Sequence, residues 1–451
     1  MTIKTTLSIF VVMLLMGSAA KAQSGNLDSY IQEAFKGNES LKQRFLELEK
    51  SLYALKEAKT LFLPTTNFGA NYSLAKGGRS IELPLGDLMN PVYNTLNTLT
   101  QNDQFKNLSN TKVTLNPNNF YDVRLHTSMD LYNRETVINE RIKQGQITLE
   151  KSKISIYKRE LVKEVKTAWF EYQQLLEEKG NYQSDLEMIN ESLRINEALL
   201  KNGKIYPTLV LRSQTYKKGI ENSIIALQAR IINAQAYFNF LLNKPFDSAI
   251  IVAQWPSEPL VSAVSEMEDS KPSEELDAAR TSSLISGLQN KMDRSAMLPR
   301  VSTFIDLGLQ DFAWKVKDGS PYYIAGVNMK WELFAFGRNR YKTAQSSLGM
   351  QQAESQYQLT GQRIALEEKQ AENLCQTASK NYNNTLYQVE LAEQYYADQL
   401  KIYKQGRLLY IELLDAQTQL TQIRVRRSID YMGYQIAYAA LERLKALYKI
   451  D

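Results

Sequence analysis

One cysteine, Cys375, and one histidine, His126, are all that 451 residues offer of the two side chains most used for chemistry. A lone cysteine cannot form an intrachain disulfide. A lone histidine, set among the polar positions of an alternating segment, excludes a Ser-His-Asp triad and a multi-histidine metal site, and no GxxxxGK phosphate loop is present. Neighbouring carboxylates such as Glu177-Glu178 and Glu367-Glu368 point different ways on a helix and make no acid–base pair. The chain also lacks charge of one dominant sign. Its 54 basic and 49 acidic residues are spread along the sequence, without the basic block that nucleic-acid binding needs. No catalysis, cofactor, metal or nucleic-acid partner is expected.

Long hydrophobic runs are missing as well. Mean hydropathy is −0.38, and after the N-terminus no stretch reaches the roughly 18 apolar residues of a membrane-spanning helix. The N-terminus itself carries Lys4, an apolar run from Leu7 to Met16 and then Ala20-Lys21-Ala22, the small-x-small pattern of a signal peptide cleaved before Gln23. Residues 1–22 are therefore expected to be a signal peptide. No cysteine stands at the cleavage site, so N-terminal lipidation is not expected. The mature chain is expected to be periplasmic, released, or inserted in an outer membrane as β-structure.

What is present is a plan written twice. The stretch from Gly203 to Thr215 is matched by Gly406 to Thr418 at an offset of 203 residues, and Leu63-Pro64 by Leu298-Pro299 at an offset of 235. The surplus in the first half falls at 76–117, rich in Asn, Thr, Leu and Gly and without sustained periodicity, which reads as a long loop. The expected organisation is a first structural repeat over 23–245, a linker over 246–271 and a second repeat over 272–451. Each reads helix, strand, turn or loop, strand, then two very long helices.

The strands show in period-two alternation: Phe68, Ala70, Tyr72 and Leu74; Val123, Leu125, Thr127, Met129 and Leu131; Val301, Thr303, Ile305, Leu307 and Leu309; Val327, Met329, Trp331 and Leu333. Asn67, Asn71, Ser73, Arg124, His126, Ser128, Asp306, Asn328 and Lys330 take the opposite face, the arrangement of a strand with lipid on one side and water on the other. The helices show in heptads. Ile147, Ile154, Leu161, Ala168, Leu175, Tyr182 and Ile189 recur every seven residues, and Val165, Tyr172, Leu186, Leu193 and Leu200 complete the seam. The corresponding run in the second half uses small residues, Ala365, Ala371, Ala378 and Ala392. At about 1.5 Å per residue such a helix reaches about 100 Å, a length suited to coiled-coil tubes or stalks.

Four strands cannot close a barrel, which takes at least about eight. If they span a membrane, neighbouring chains must complete them, because open sheet edges are costly in lipid. With the doubled plan, the Leu-Pro before each half's first strand, Trp331 to Arg338 leaving the last strand and Gly406 to Thr418 at the helical turn, the sequence resembles the TolC-type outer membrane factor family from about residue 27 to 449.

That resemblance implies a mixed α+β membrane protein of TolC-like fold: a homotrimer pooling four strands per chain into a twelve-stranded β-barrel in outer membrane lipid, continued by a long α-helical barrel. It implies a passive conduit of a tripartite efflux or type I secretion system, apposed to a periplasmic adaptor (membrane fusion) protein and an inner membrane pump of RND or ABC type. It places the 76–117 insert outside the cell, Gly203, Lys204, Gly406 and Arg407 at the hairpin turns that an adaptor grips, and Glu412 and Asp415 at an acidic pore constriction, with Arg212 opposite Asp415 across the repeat. The simpler reading of the glycines is helix C-capping, and of the acids a favourable placement at a helix N-terminus. A periplasmic adaptor or structural coiled-coil protein is the competing class, though adaptors usually carry one hairpin rather than two.

Overall fold

The computed structural model describes residues 27–116, 118–252 and 273–450. The expected signal peptide and most of the expected linker lie outside the described residues. Two compact units can be drawn, one around residues 53–144 and 287–348 and the other from the remaining chain.

The first unit is built on an antiparallel sheet of β1 (Thr65–Ser73), β4 (Phe120–Tyr132), β5 (Arg300–Phe312) and β6 (Pro321–Lys330), in the order β1-β4-β5-β6. Cross-strand partners share a face, so the register sorts the side chains. Phe68, Leu125, Leu307 and Tyr323 form one row, and Asn67, His126 and Asp306 lie in the next, on the other face. On the apolar face Phe68, Tyr323 and Val327 are 71%, 75% and 67% exposed. On the polar face His126 Nδ1 meets Asp306 Oδ1 at 2.5 Å, and Tyr322 OH donates to Asp122 Oδ1 at 2.8 Å.

Aromatic rings gather at both ends of this sheet. Trp314 stacks between Tyr72 and Tyr121 at one end, while Trp331, Phe334 and Phe336 stand exposed at the other. Thirteen-residue strands tilted by about 45° rise about 30 Å, the thickness of a bilayer's hydrocarbon core.

Three expectations need correction here. β1 ends at Ser73 and β6 at Lys330, so Leu74, Trp331 and Leu333 lie beyond the ladder. The Trp331 indole N–H instead donates to the carbonyl of Met297 at 3.0 Å. Leu131 falls where the β4–β5 register shifts, a bulge.

The insert at 76–117 is not a plain loop. It holds a two-stranded sheet of β2 (Ser80–Leu83) and β3 (Thr111–Thr114), enclosing the helix α3 (Leu85–Thr100). The asparagines that read as loop composition do the joining. Asn90 exchanges two hydrogen bonds with the backbone of Leu108, and Asn97 two with that of Phe105. Asn110 accepts from the backbone N–H groups of Gly86 and Asp87. Side-chain amides take the place of a backbone ladder, a structure that hydrophobic periodicity does not register.

The second unit is helical. It contains α1 (27–37), α5 (Pro207–Leu241), α8 (Tyr410–Leu444) and most of the length of α4 (Arg134–Lys201) and α7 (Arg338–Lys404). The shorter α2 (Glu39–Thr60) and α6 (Glu274–Ser295) are divided between the units. Corresponding helices match in length: 22 residues in α2 and α6, 68 and 67 in α4 and α7, 35 in α5 and α8.

The heptad residues of α4 are its core, with Leu161, Leu175 and Ile189 at 1% exposure or less. In α7 Ala371 and Ala392 are buried, but Ala365 is exposed, so that part of the expected seam faces outward. Half-buried ion pairs tie helix to helix around one belt: Arg443 to Glu160 at 2.5 Å and Glu275 at 2.8 Å, Arg159 to Glu274 at 2.5 Å, and Lys166 to Glu442 at 2.5 Å. Burial alone would raise the Glu160 carboxyl's pKa, but Lys163 and Arg443 outweigh it and hold the group below its ordinary value.

Candidate gate and docking turns

The two glycines expected at helical turns adopt one geometry. Gly203 and Gly406 have φ of +65° and +71°, the left-handed conformation in which only glycine avoids a steric penalty. At the first turn the N–H of Gly203 donates to Leu200 and that of Lys204 to Leu199, both at 2.9 Å. At the second, Gly406 donates to Tyr403 at 2.9 Å and Arg407 to Ile402 at 3.2 Å. This is the same double hydrogen bond closing α4 and α7, a Schellman cap. No heavy atom lies within 4 Å of where either Cβ would stand, so the demand for glycine comes from the backbone dihedral and not from crowding. Lys204 and Arg407 are exposed beside them.

Past the second turn, α8 begins at Tyr410. Glu412 turns back so that its Oε2 accepts the N–H of Leu409 at 3.3 Å, one half of a capping box. Asp415 follows one turn later, also exposed. Arg212 is exposed on α5, near Tyr410, and within the single chain it makes no ion pair with Asp415 among the described residues. The structure thus gives Glu412 a local role in starting its helix and leaves Arg212 and Asp415 unpaired with one another.

The residues that join the two hairpins are others. Asn196 of α4, Ser213 of α5, Tyr403 of α7 and Tyr410 of α8 form one buried network, a side chain from each helix. The Asn196 amide donates to Ser213 Oγ at 2.9 Å, Ser213 Oγ meets Tyr410 OH at 2.7 Å, and Tyr403 OH donates to Asn196 Oδ1. Sequence reading missed its role although the signal was there. Asn196 stands seven residues after Ile189, at the next position of the α4 seam, and a polar residue at a seam position fixes register and partner.

Farther from the turns, Asp185 of α4 is 1% exposed. Its carboxylate accepts from Gln417 Nε2 of α8 at 2.6 Å and Tyr216 OH of α5 at 3.2 Å. Burial pushes the Asp185 pKa up, against the lowering effect of these hydrogen bonds and of the Arg424 charge. The group borders a cleft of about 580 Å³ lined by Tyr182, Tyr216, Thr418 and Arg426 among others. Cys375 is buried beside Ala371, Tyr434 and Leu441, and burial raises its thiol pKa, so it has the setting of a packed hydrophobe.

No family model matches the sequence, and no curated protein matches it. Solved structures do match. The outer membrane protein VceC from Vibrio cholerae has a TM-score of 0.75 at 15% identity, over 93% of this chain and 96% of that one. The CmeC outer membrane channel of Campylobacter jejuni has a TM-score of 0.73 at 15% identity, over 93% and 85%. The MtrE outer membrane channel of Neisseria gonorrhoeae, in its open state, has a TM-score of 0.73 at 15% identity, over 93% and 88%. Likeness over almost the full length of both partners establishes that this chain has the fold of these outer-membrane channels.

Proposed function

From the fold it shares with outer-membrane channels, we propose that this chain is one of three subunits of a TolC-type outer membrane factor, a passive conduit that carries substrate from an inner membrane pump across the periplasm and out of the cell. The observation that carries the reading is the sheet. It has four strands, an exposed apolar face with aromatic rings at both ends, and outer edges on β1 and β6 that pair with no strand among the described residues. In lipid those edges must be paired, and three copies of four strands make a twelve-stranded barrel with no edge left. The polar face, with Asp122, Arg124, His126 and Asp306, then lines a water-filled lumen.

The equal helix lengths and the shared caps at Gly203 and Gly406 support two structural repeats, at 23–245 and 272–451. Twelve long helices, paired as six hairpins with two from each chain, then form the α-helical barrel in the periplasm. Lys204 and Arg407 stand at the turns for an adaptor to grip. Glu412 and Asp415, repeated three times around the axis, form two acidic rings, and carboxylates so placed attract cations and repel one another. Arg212 reaches Asp415 across neighbouring hairpins in the closed state. The system served is efflux or type I secretion. A passive conduit needs no catalysis, since the substrate passes unchanged.

The test is planar-bilayer conductance of the purified protein, comparing the wild type with Glu412→Ala/Asp415→Ala. Small cation-selective currents that grow, and lose their block by multivalent cations, in the double variant are the expected result. Channels indifferent to the substitutions would remove the acidic gate and keep the conduit. No channel in either protein would favour the adaptor reading.

A further inference from the structure

The insert between β1 and β4 holds a feature that a channel wall does not need. Along α3, Leu85, Leu88, Val92, Thr95 and Leu99 follow one another at steps of three and four residues, so they share a single stripe. That stripe faces out, with Leu85, Leu88, Val92 and Leu99 exposed by 44%, 65%, 50% and 75%. The other side of the helix is occupied. Asn90 and Asn97, seven residues apart, bind the backbone of the returning segment, and Tyr93 packs on Phe105 with ring centroids 5.5 Å apart. The helix is held by its polar side and, among the described residues, presents its apolar side unpartnered.

We propose that the α3 stripe packs against the same stripe of the neighbouring copies, so that three α3 helices form a short bundle on the outer side of the assembly. The proposal rests on the trimeric reading above, which brings three inserts to one end of one barrel. Three observations single out a second copy as the occupant. First, alternating steps of three and four are the spacing of helix-on-helix packing. Second, the only charged residue of α3 is Asp87, whose carboxylate accepts from Asn110 Nδ2 at 2.9 Å, so like copies meet without charge repulsion. Third, α3 has no lysine or arginine, the basic residues whose charge draws the polar side of an amphipathic helix to an anionic lipid surface. Two heptads are too short to associate alone, but the barrel supplies the effective concentration.

Variants with one added cysteine test the contact, because the native thiol of Cys375 is buried. Leu88→Cys and Leu99→Cys place a thiol on the stripe, and Asn94→Cys places one on the opposite side of α3. Each purified assembly is oxidised with copper phenanthroline, and its native mass is measured in parallel. Seam variants are expected to form cross-linked dimers at least about tenfold faster than Asn94→Cys, since a disulfide needs Cα atoms within about 7 Å. Equal rates, or no cross-link in an assembly that remains trimeric, would overturn the contact and leave the channel standing. Bimane on Leu88→Cys that is quenched by brominated lipid would overturn it in favour of a membrane surface. A monomeric native mass would overturn the trimer itself and this inference with it.

Discussion

Removing one hydroxyl at the hairpin ends should loosen four helices at once. Ser213 Oγ accepts from Asn196, meets Tyr410 OH and donates to the carbonyl of Leu209 at 3.0 Å. In Ser213→Ala the Asn196 amide, fully buried, and the Tyr410 hydroxyl, 3% exposed, both lose a partner without gaining water. Asn196 and Tyr410 still have each other as partners, so each lost bond costs toward the lower part of the about 1–3 kcal/mol range, and the variant should lose about 2–3 kcal/mol of local stability. Tyr410→Phe deletes one group and leaves Ser213 bonded to Leu209, so it should cost only about 1 kcal/mol. In the double variant no Tyr410 hydroxyl remains to lose its Ser213 partner, and the cost should fall below the sum of the singles by about 1 kcal/mol. Amide hydrogen exchange at the first turns of α5 and α8 reads the local opening directly. Exchange in Ser213→Ala should accelerate by at least about thirtyfold, at about 1.4 kcal/mol per tenfold. Acceleration below about threefold, or strict additivity in the double variant, would refute the network as a link between the hairpins.

Gly203→Ala and Gly406→Ala have room for the methyl but must hold a left-handed dihedral, so each should lose about 1 kcal/mol, read as faster hydrogen exchange at the ends of α4 and α7. The Asp185 pKa is higher folded than unfolded, so the folded chain binds this proton more tightly. Its contribution is fully present below the unfolded pKa and lost as pH rises through the folded one; Asp185→Asn should flatten that part of a stability–pH curve, and an unchanged slope would contradict this. Val327→Lys sets a charge at an exposed position of the apolar sheet face and should cost about 2–4 kcal/mol if that face meets the middle of the bilayer, seen as failed insertion into lipid vesicles. Normal insertion would show that Val327 faces water.

The long elements were legible because each writes one period over many residues. Seven-residue recurrence from Ile147 to Ile189 gave α4 its buried face, and alternation gave four strands with their faces sorted except at Leu131, where the bulge falls, and at Leu74, Trp331 and Leu333, beyond the ladder. The matched turns announced equivalent caps at Gly203 and Gly406. What escaped was held by polar side chains. The insert folds through Asn90, Asn97 and Asn110, whose amides mimic a backbone ladder and carry no periodicity. At the hairpin ends, matching the repeats gave Gln214 and Gln417 equal standing, yet Gln214 is exposed and Gln417 is buried against Asp185. Doubled sequence announces equivalent backbone and says little about which copy of a side chain is turned inward. The acids were named from resemblance, and the structure adds a capping role for Glu412 that composition alone also allows.

The proposed trimer follows from the need of four strands for two further copies to close a barrel. Native mass spectrometry of the detergent-purified protein tests it most directly. A single species containing three chains is the expected result. A stable monomer, or an assembly of any other number that still conducts, would contradict it.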